Sequence, residues 1–215
     1  MKRFMLPVVV LIVLGMFGWL HAQENETKNK TDMMSEDNYE VATFAGGCFW
    51  CMQPPFDALD GVVKTTVGFT GGTEKNPTYK EVSYGKTGHA ESIEIVYDPS
   101  KITYDQLLDV YWMNIDPTDS GGQFVDRGKQ YRPEIFYHNE SQKKAAEASK
   151  KKLAESGRFD KPIVVQITKA TEFYPAEEYH QKFYKKDKLQ YKAYRWGSGR
   201  DQFIKKHWGK ESAGH

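Results

Sequence analysis

Cys48 and Cys51 are the only cysteines of this 215-residue chain, and they stand in one run, Ala45-Gly46-Gly47-Cys48-Phe49-Trp50-Cys51. A cysteine is a nucleophile only as its thiolate, so a reactive one needs a polar or electropositive setting and some exposure. Two glycines ahead of the pair let the backbone approach closely. A second thiol two residues on can attack whatever the first becomes and close a small disulfide, which is redox chemistry. Two other readings fit the same residues. A structural disulfide suits a secreted chain, although a loop this short restricts the unfolded chain little. A zinc site would need two of His89, His138, His180 and His207, which show no paired spacing.

A carboxyl is the other candidate. Glu91, in Gly88-His89-Ala90-Glu91, begins a strand directly after a glycine turn. At a strand end it is ordinarily exposed and idle, but in an apolar pocket its pKa rises and it can deliver a proton. His89 alone reads as a structural residue. Tyr79 and Tyr131 read as partly buried packing residues whose hydroxyls can also orient a polar oxygen. Asp126, beside Arg127, has an ordinary ion-pair reading.

Such chemistry needs the pair held where a strand hands over to a helix. Tyr39 to Ala45 runs into apolar residues and reads as a strand that delivers the chain to Gly46-Gly47. Phe56, Leu59 and Gly61 mark a short helix after the cysteines, while Pro54-Pro55 disfavours helical geometry just before them. A helix starting at the cysteines would turn its positive end to a thiolate and lower the thiol pKa. Val62–Phe69 and Glu91–Tyr97 read as strands, joined by a turn-rich segment from Thr70 to Gly88. Thr103-Tyr104-Asp105-Gln106 resembles a capping box, opening a helix that ends before Pro117. Asp119 to Gln130 reads as a loop and Glu134–Tyr137 as a strand. Asn139 or Ser141 caps the next helix, which Gly157 terminates. Ile163–Ile167 reads as a strand, Ala176–Lys186 as a helix, and from Asp187 little periodicity remains. Strands and helices lack a regular βαβ beat, so the class is α+β.

Composition bounds the rest. With 39% hydrophobic and 14% aromatic residues the chain can bury one core, hence one domain. Thirty basic against twenty-nine acidic side chains give a net charge of +1, no footprint for nucleic acid. Met1-Lys2-Arg3, the apolar stretch Met5–Leu20 and then His21-Ala22 describe a secretory signal over residues 1–22. An uncleaved membrane anchor is the alternative, for which the stretch falls short of ~20 residues. Residues 23–38 are polar and read as a flexible tether. The asparagines of Asn25-Glu26-Thr27 and Asn29-Lys30-Thr31 match a short glycosylation pattern.

Four spaced segments carry a resemblance: Gly47-Cys48-Phe49-Trp50, Gly71-Gly72 through Asn76-Pro77-Thr78-Tyr79, Gly88-His89-Ala90-Glu91, and Asp126-Arg127-Gly128 through Gln130-Tyr131-Arg132. In this order they resemble peptide methionine sulfoxide reductase A, with similarity running from about Val41 to Trp208. The resemblance implies a catalytic domain over 39–210 and a tail over 211–215. It implies a single-domain, two-layer α/β sandwich around a mixed sheet with a ferredoxin-like core, and reduction of methionine S-sulfoxide, free or in proteins. It assigns attack on sulfur to Cys48 and proton donation to Glu91. Tyr79 and Tyr131 then orient the sulfoxide oxygen, Asp126 helps hold polar groups, and Phe49 and Trp50 wall the methyl pocket. Where the commonest family pattern has a glycine, this chain has Cys51, and Tyr194-Arg195-Trp196-Gly197-Ser198-Gly199 carries no thiol. The resolving step must therefore use Cys51 or a reductant from outside; the resemblance to members with Gly-Cys-Phe-Trp-Cys makes Cys51 the expected resolving cysteine. The expectation is a secreted or periplasmic monomer without bound cofactor or metal, recycled by a thioredoxin-like partner and touching membrane only if the leader stays. A general dithiol oxidoreductase explains the cysteine spacing but not Glu91 or the tyrosines. A non-enzymatic binding module with a structural disulfide explains still less.

Overall fold

The apolar run Val41–Ala45 becomes the heart of a strand buried from Ala42 onward, as a short continuous apolar run demands when both faces are covered. The computed structural model describes residues 38–209. The leader, the tether up to residue 37 with its glycosylation patterns, and the tail lie outside the described residues. In chain order the elements are β1 (Glu40–Gly46), α1 (Phe49–Asp57), β2 (Val62–Thr70), α2 (Tyr79–Ser83), β3 (Ala90–Tyr97), α3 (Tyr104–Met113), β4 (Gly122–Gln123), β5 (Asp126–Arg127), β6 (Pro133–Tyr137), α4 (Glu140–Glu155), β7 (Gln166–Lys169), β8 (Tyr174–Pro175), α5 (Phe183–Lys186), α6 (Lys188–Gly197) and α7 (Arg200–Trp208). Single tighter turns cover Lys129–Tyr131 and Glu178–His180.

The main sheet runs β7-β6-β1-β3-β2-β8. Its four central strands, β6-β1-β3-β2, are antiparallel neighbours, and α1 and α3 make the crossovers from β1 to β2 and from β3 to β6. This is the ferredoxin-like arrangement. The parallel pair β6–β7 makes the sheet mixed. Phe44 of β1 stacks on Phe56 of α1 at 5.7 Å and on Tyr111 of α3 at 4.9 Å, so both crossover helices cover one face. Ala146 and Leu153 of α4 join the same core. The result is α+β, one domain around a mixed sheet, with further buried clusters built on Phe49, Val67 and Phe69 and on Ala45 and Phe136.

Register decides where chemistry can gather. Ala45 of β1 faces Ser92 of β3, Phe69 of β2 faces Glu91, and Gly46 faces Pro133 of β6. The exits of β1 and β2 and the entrances of β3 and β6 therefore share one end of the sheet. Arg132 braces that end: Nε donates to Glu134 at 2.7 Å, and Nη1 donates to Gly88 O at 3.2 Å and Lys129 O at 2.9 Å.

Local signals explain several boundaries. Thr103 and Gln106 form the expected capping box, Asn139 rather than Ser141 caps α4, and Gly157 follows its end at φ +68°. Three segments differ from expectation. Ile163–Val165 is not strand: Val165 sinks into the core and Val164 N–H bonds Pro117 O, so pairing begins only at Gln166. The helix expected over Ala176–Lys186 is broken. Gln181 clamps the backbone N–H and C=O of Val67 through its side-chain amide, and Lys182 turns left-handed at φ +51°. After Asp187, where the sequence offers little periodicity to read, α6 and α7 form; α6 has no fully buried residue, and its inward face is the half-buried set Tyr191, Tyr194 and Arg195, polar-tipped residues rather than an aliphatic stripe.

Candidate active site

Cys48 caps α1, and Cys51 N–H bonds back to Cys48 O at 3.0 Å, so both thiols sit in the helix's first turn. Gly47 makes the corner at φ +79°, and a Cβ there would lie 2.5 Å from Cβ of Gln123. Pro54 and Pro55 lie inside α1 rather than delaying it. Their missing N–H groups leave carbonyls one turn back unpartnered, among them Cys51 O. Arg195 Nη1 fills that vacancy at 3.0 Å.

Both cysteines are free thiols, Cys48 only 7% exposed and Cys51 wholly buried. The expected help from the helix dipole is overridden at Cys48, whose pKa is pushed well up, first by burial and then by the hydrogen bond to Cys51. Cys51 is lowered to about 6, chiefly because the Cys48 S–H donates to it, with Arg200 and Arg195 adding positive charge against burial. The two thiols titrate as a pair, and the Cys48 hydrogen bond and the two arginines favour the thiolate of Cys51.

Glu91 is 2% exposed and accepts the Phe49 N–H at 3.1 Å, next to Cys48. Burial raises its carboxyl pKa from 4.5 to about 8 against that hydrogen bond, with Asp126 and Cys51 adding repulsion. At neutral pH it carries a proton. Tyr79 opens α2, which Thr78 and Glu81 cap reciprocally, and Tyr131 closes the turn before β6. Burial, then the charge of Glu91, holds both phenols well above their usual pKa, so both are hydrogen-bond donors. Asp126, half-buried on the β4–β5 hairpin, has a raised pKa from burial and accepts the Tyr194 hydroxyl. Its expected ordinary partnership with Arg127 is absent: Arg127 pairs with Asp119 at 2.5 Å. Phe49 packs on Phe69 and Tyr79, while Trp50 stacks on Phe183 at 3.9 Å and donates to His180 Nδ1 at 3.0 Å. Cys48, Phe49, Trp50, Cys51, Tyr79, Glu91, Asp126 and Tyr131 converge on this end of the sheet.

The alternative zinc partners do not gather on the cysteines: His89 bonds Gly72 N–H and Glu74 O, His138 bonds Thr43, His207 packs on Phe159 and Phe203, and His180, within the site, accepts the Trp50 N–H. The arrangement is a thiol pair beside a protonated acid, phenol donors and an aromatic wall. The family model for peptide methionine sulfoxide reductase matches residues 40–212. The chain belongs to that family.

Relatives agree along the length. A peptide methionine sulfoxide reductase of Listeria monocytogenes is 59% identical over 175 residues, 81% of this chain and 99% of its own. One from Bacillus licheniformis is 57% identical over 172 residues, covering 80% and 95%. Among solved structures, reduced Mxr1 from Saccharomyces cerevisiae superposes with TM-score 0.67 at 32% identity, covering 71% of this chain and 88% of that one. Methionine sulfoxide reductase A of Corynebacterium diphtheriae gives 0.62 at 34%, covering 71% and 76%. As a peptide methionine sulfoxide reductase the chain is an oxidoreductase, neither a non-enzymatic binding module nor a general disulfide exchanger. Sequence reading missed three residues of this reductase's site, Tyr194, Arg195 and Arg200, and named His180 only as a zinc candidate, whereas it accepts the Trp50 N–H. Tyr194 is hydrogen-bonded to both Asp126 and the Cys48 thiol. Only Pro55, which frees a carbonyl, hinted at Arg195.

Proposed function

We propose that the chain reduces methionine S-sulfoxide, free or in proteins, through a two-cysteine relay of the Gly-Cys-Phe-Trp-Cys type. The observation that carries this reading is a buried, protonated carboxyl, Glu91, hydrogen-bonded to the residue beside Cys48. The sulfoxide oxygen accepts from Tyr79 and Tyr131, Asp126 holds polar groups of the substrate, and the methyl lies against Phe49 and Trp50. The Cys48 proton moves to Cys51 and Cys48 attacks sulfur as the thiolate, while Glu91 protonates the departing oxygen. Two electrons pass from Cys48 to the substrate. The hydroxyl so formed passes from the substrate sulfur to Cys48 while the S–S bond made by the attack breaks with its electron pair on the methionine sulfur; methionine leaves, and Cys48 is left as a sulfenic acid.

Cys51 then attacks Cys48, the S–S bond forms, and the oxygen departs as water. A thioredoxin-like dithiol returns two electrons by thiol exchange, so the cycle needs no bound cofactor or metal. The leader, cleaved after Ala22, places the enzyme outside the cytoplasm, in the periplasm or secreted; left uncleaved, it anchors the enzyme to the membrane facing outside.

The test is Cys48→Ser assayed on the separated sulfoxide epimers with a dithiol reductant. Wild type consumes the S epimer and leaves the R epimer, and the variant consumes neither, because a serine without an activating base is too weak a nucleophile. Turnover by the variant, or equal use of both epimers by wild type, overturns the reading.

A further inference from the structure

The two sulfurs are not equivalent. Cys48 reaches the surface at 7% exposure and Cys51 has none. What covers Cys51 is cationic. Arg195 is fixed twice, by Nε to Asp201 Oδ1 at 2.7 Å and by Nη1 to the Cys51 carbonyl that Pro55 leaves without a helical donor. Arg200, 1% exposed, donates from Nη2 to Gly46 O at 2.9 Å and from Nη1 to Met52 Sδ at 3.4 Å and Asn114 O. Neither backbone carbonyls nor a thioether cancel its charge, and no ion pair joins it to a carboxylate among the described residues. Asp126 feels its charge without pairing to it, and a buried guanidinium with no carboxylate in contact favours an anion beside it.

We propose that Arg195, backed by Arg200, is the positioning residue for recycling: it holds the pair's negative charge on Cys51, so the external thiol attacks Cys48 and Cys51 is the sulfur expelled. The inference rests on the Cys48–Cys51 disulfide of the proposed cycle. The reductant's thiolate bonds to Cys48 Sγ, the Cys48–Cys51 bond breaks, and its electron pair leaves with Cys51 as a thiolate. The reductant's second thiol then attacks its own partner sulfur, closing the reductant's disulfide and returning Cys48 reduced. Two electrons and two protons pass from dithiol to disulfide.

Two independent features select this direction. Only Cys48 offers an approach, and exchange runs faster when the departing thiol has the lower pKa. Cys51 is that thiol, lowered by the Cys48 S–H and then by Arg200 and Arg195. The groups that face it are Cys48 on its own turn, Glu91 from β3, Tyr191 and Arg195 from α6, and Arg200 from α7. Of these, the two arginines alone are cations.

The experiment uses full-length protein oxidised to the Cys48–Cys51 disulfide with diamide, so the result does not depend on the sulfoxide reaction. A thioredoxin variant keeping only its attacking cysteine is added, the remaining thiol is alkylated at once, and fragmentation between Phe49 and Trp50 locates each label. The expected product carries thioredoxin on Cys48 and the alkyl group on Cys51. Thioredoxin on Cys51 overturns the proposal. Arg195→Gln is expected to slow disulfide reduction about 10-fold and to move alkylation of the reduced Cys51 to higher pH, with Arg195→Lys recovering most of both. Wild-type reduction rate and alkylation profile in Arg195→Gln overturn it as well. Failure of sulfoxide to generate the disulfide would instead count against the relay itself.

Discussion

Glu91 holds a proton where an exposed carboxyl would not, and that has two measurable consequences. Its carboxyl, shifted from 4.5 to about 8 chiefly by burial, serves as an acid only while protonated, so the reductive step falls as pH rises through about 8. Glu91→Gln keeps the shape and the bond to Phe49 N–H but supplies no proton. Single-turnover methionine release should drop roughly 10²-fold and lose that pH dependence; a wild-type rate would remove Glu91 from the proton-donating role. The same shift bears on stability. A folded-state pKa above the unfolded value means stability present below pH 4.5 and lost as pH climbs through about 8, so Glu91→Gln should flatten the decline seen in wild-type denaturation across that window. The residue types at this site were legible from spacing and resemblance. Their protonation states were not: a helix start at the cysteines lowers a thiol pKa, whereas at Cys48 burial outweighs it and raises the thiol, while the Cys48 hydrogen bond lowers Cys51.

At the scale of elements, the β1–α1 corner is the most constrained feature. Gly47 takes φ +79° against Gln123, whose amide bonds Asp116, Asp119 and Gly122 and so fixes the loop leading to Asp126. Gly47→Ala combines left-handed strain with a Cβ clash and should cost about 1–3 kcal/mol, read by urea denaturation, with activity lost beyond what stability explains. Wild-type stability would mean the corner is looser than described. Strands β1, β2, β3 and β6 and helices α3 and α4 were legible because apolar runs, capping residues and Gly157 mark them. The segment from Ile163 onward was not. There a single Gln181 amide replaces a helical turn, and α6 buries no residue completely, so long-range contacts rather than local pattern decide the chain's path.

At the scale of the whole molecule, the α+β class and the single domain followed from the mixed order of elements and the apolar content, while the buried residues divide into one large cluster and two smaller ones. The proposed leader over residues 1–22, which lies outside the described residues, carries the proposal of where the protein works. Mature protein beginning at Gln23 should be recovered outside the cytoplasm, as N-terminal sequencing of the fractions would show; full-length chain in the membrane fraction would favour the anchor. The central claim is that Cys48 takes the oxygen and Cys51 only resolves it. Its most direct measurement is one turnover of Cys51→Ser on methionine S-sulfoxide, followed by intact mass and a sulfenic-acid reagent. The account predicts about one methionine per enzyme, Cys48 heavier by one oxygen and trappable, and slow recycling with thioredoxin that a small thiol partly rescues, where wild type instead closes a Cys48–Cys51 disulfide. Normal recycling of Cys51→Ser with thioredoxin, or methionine release with Cys48 unmodified, would contradict it.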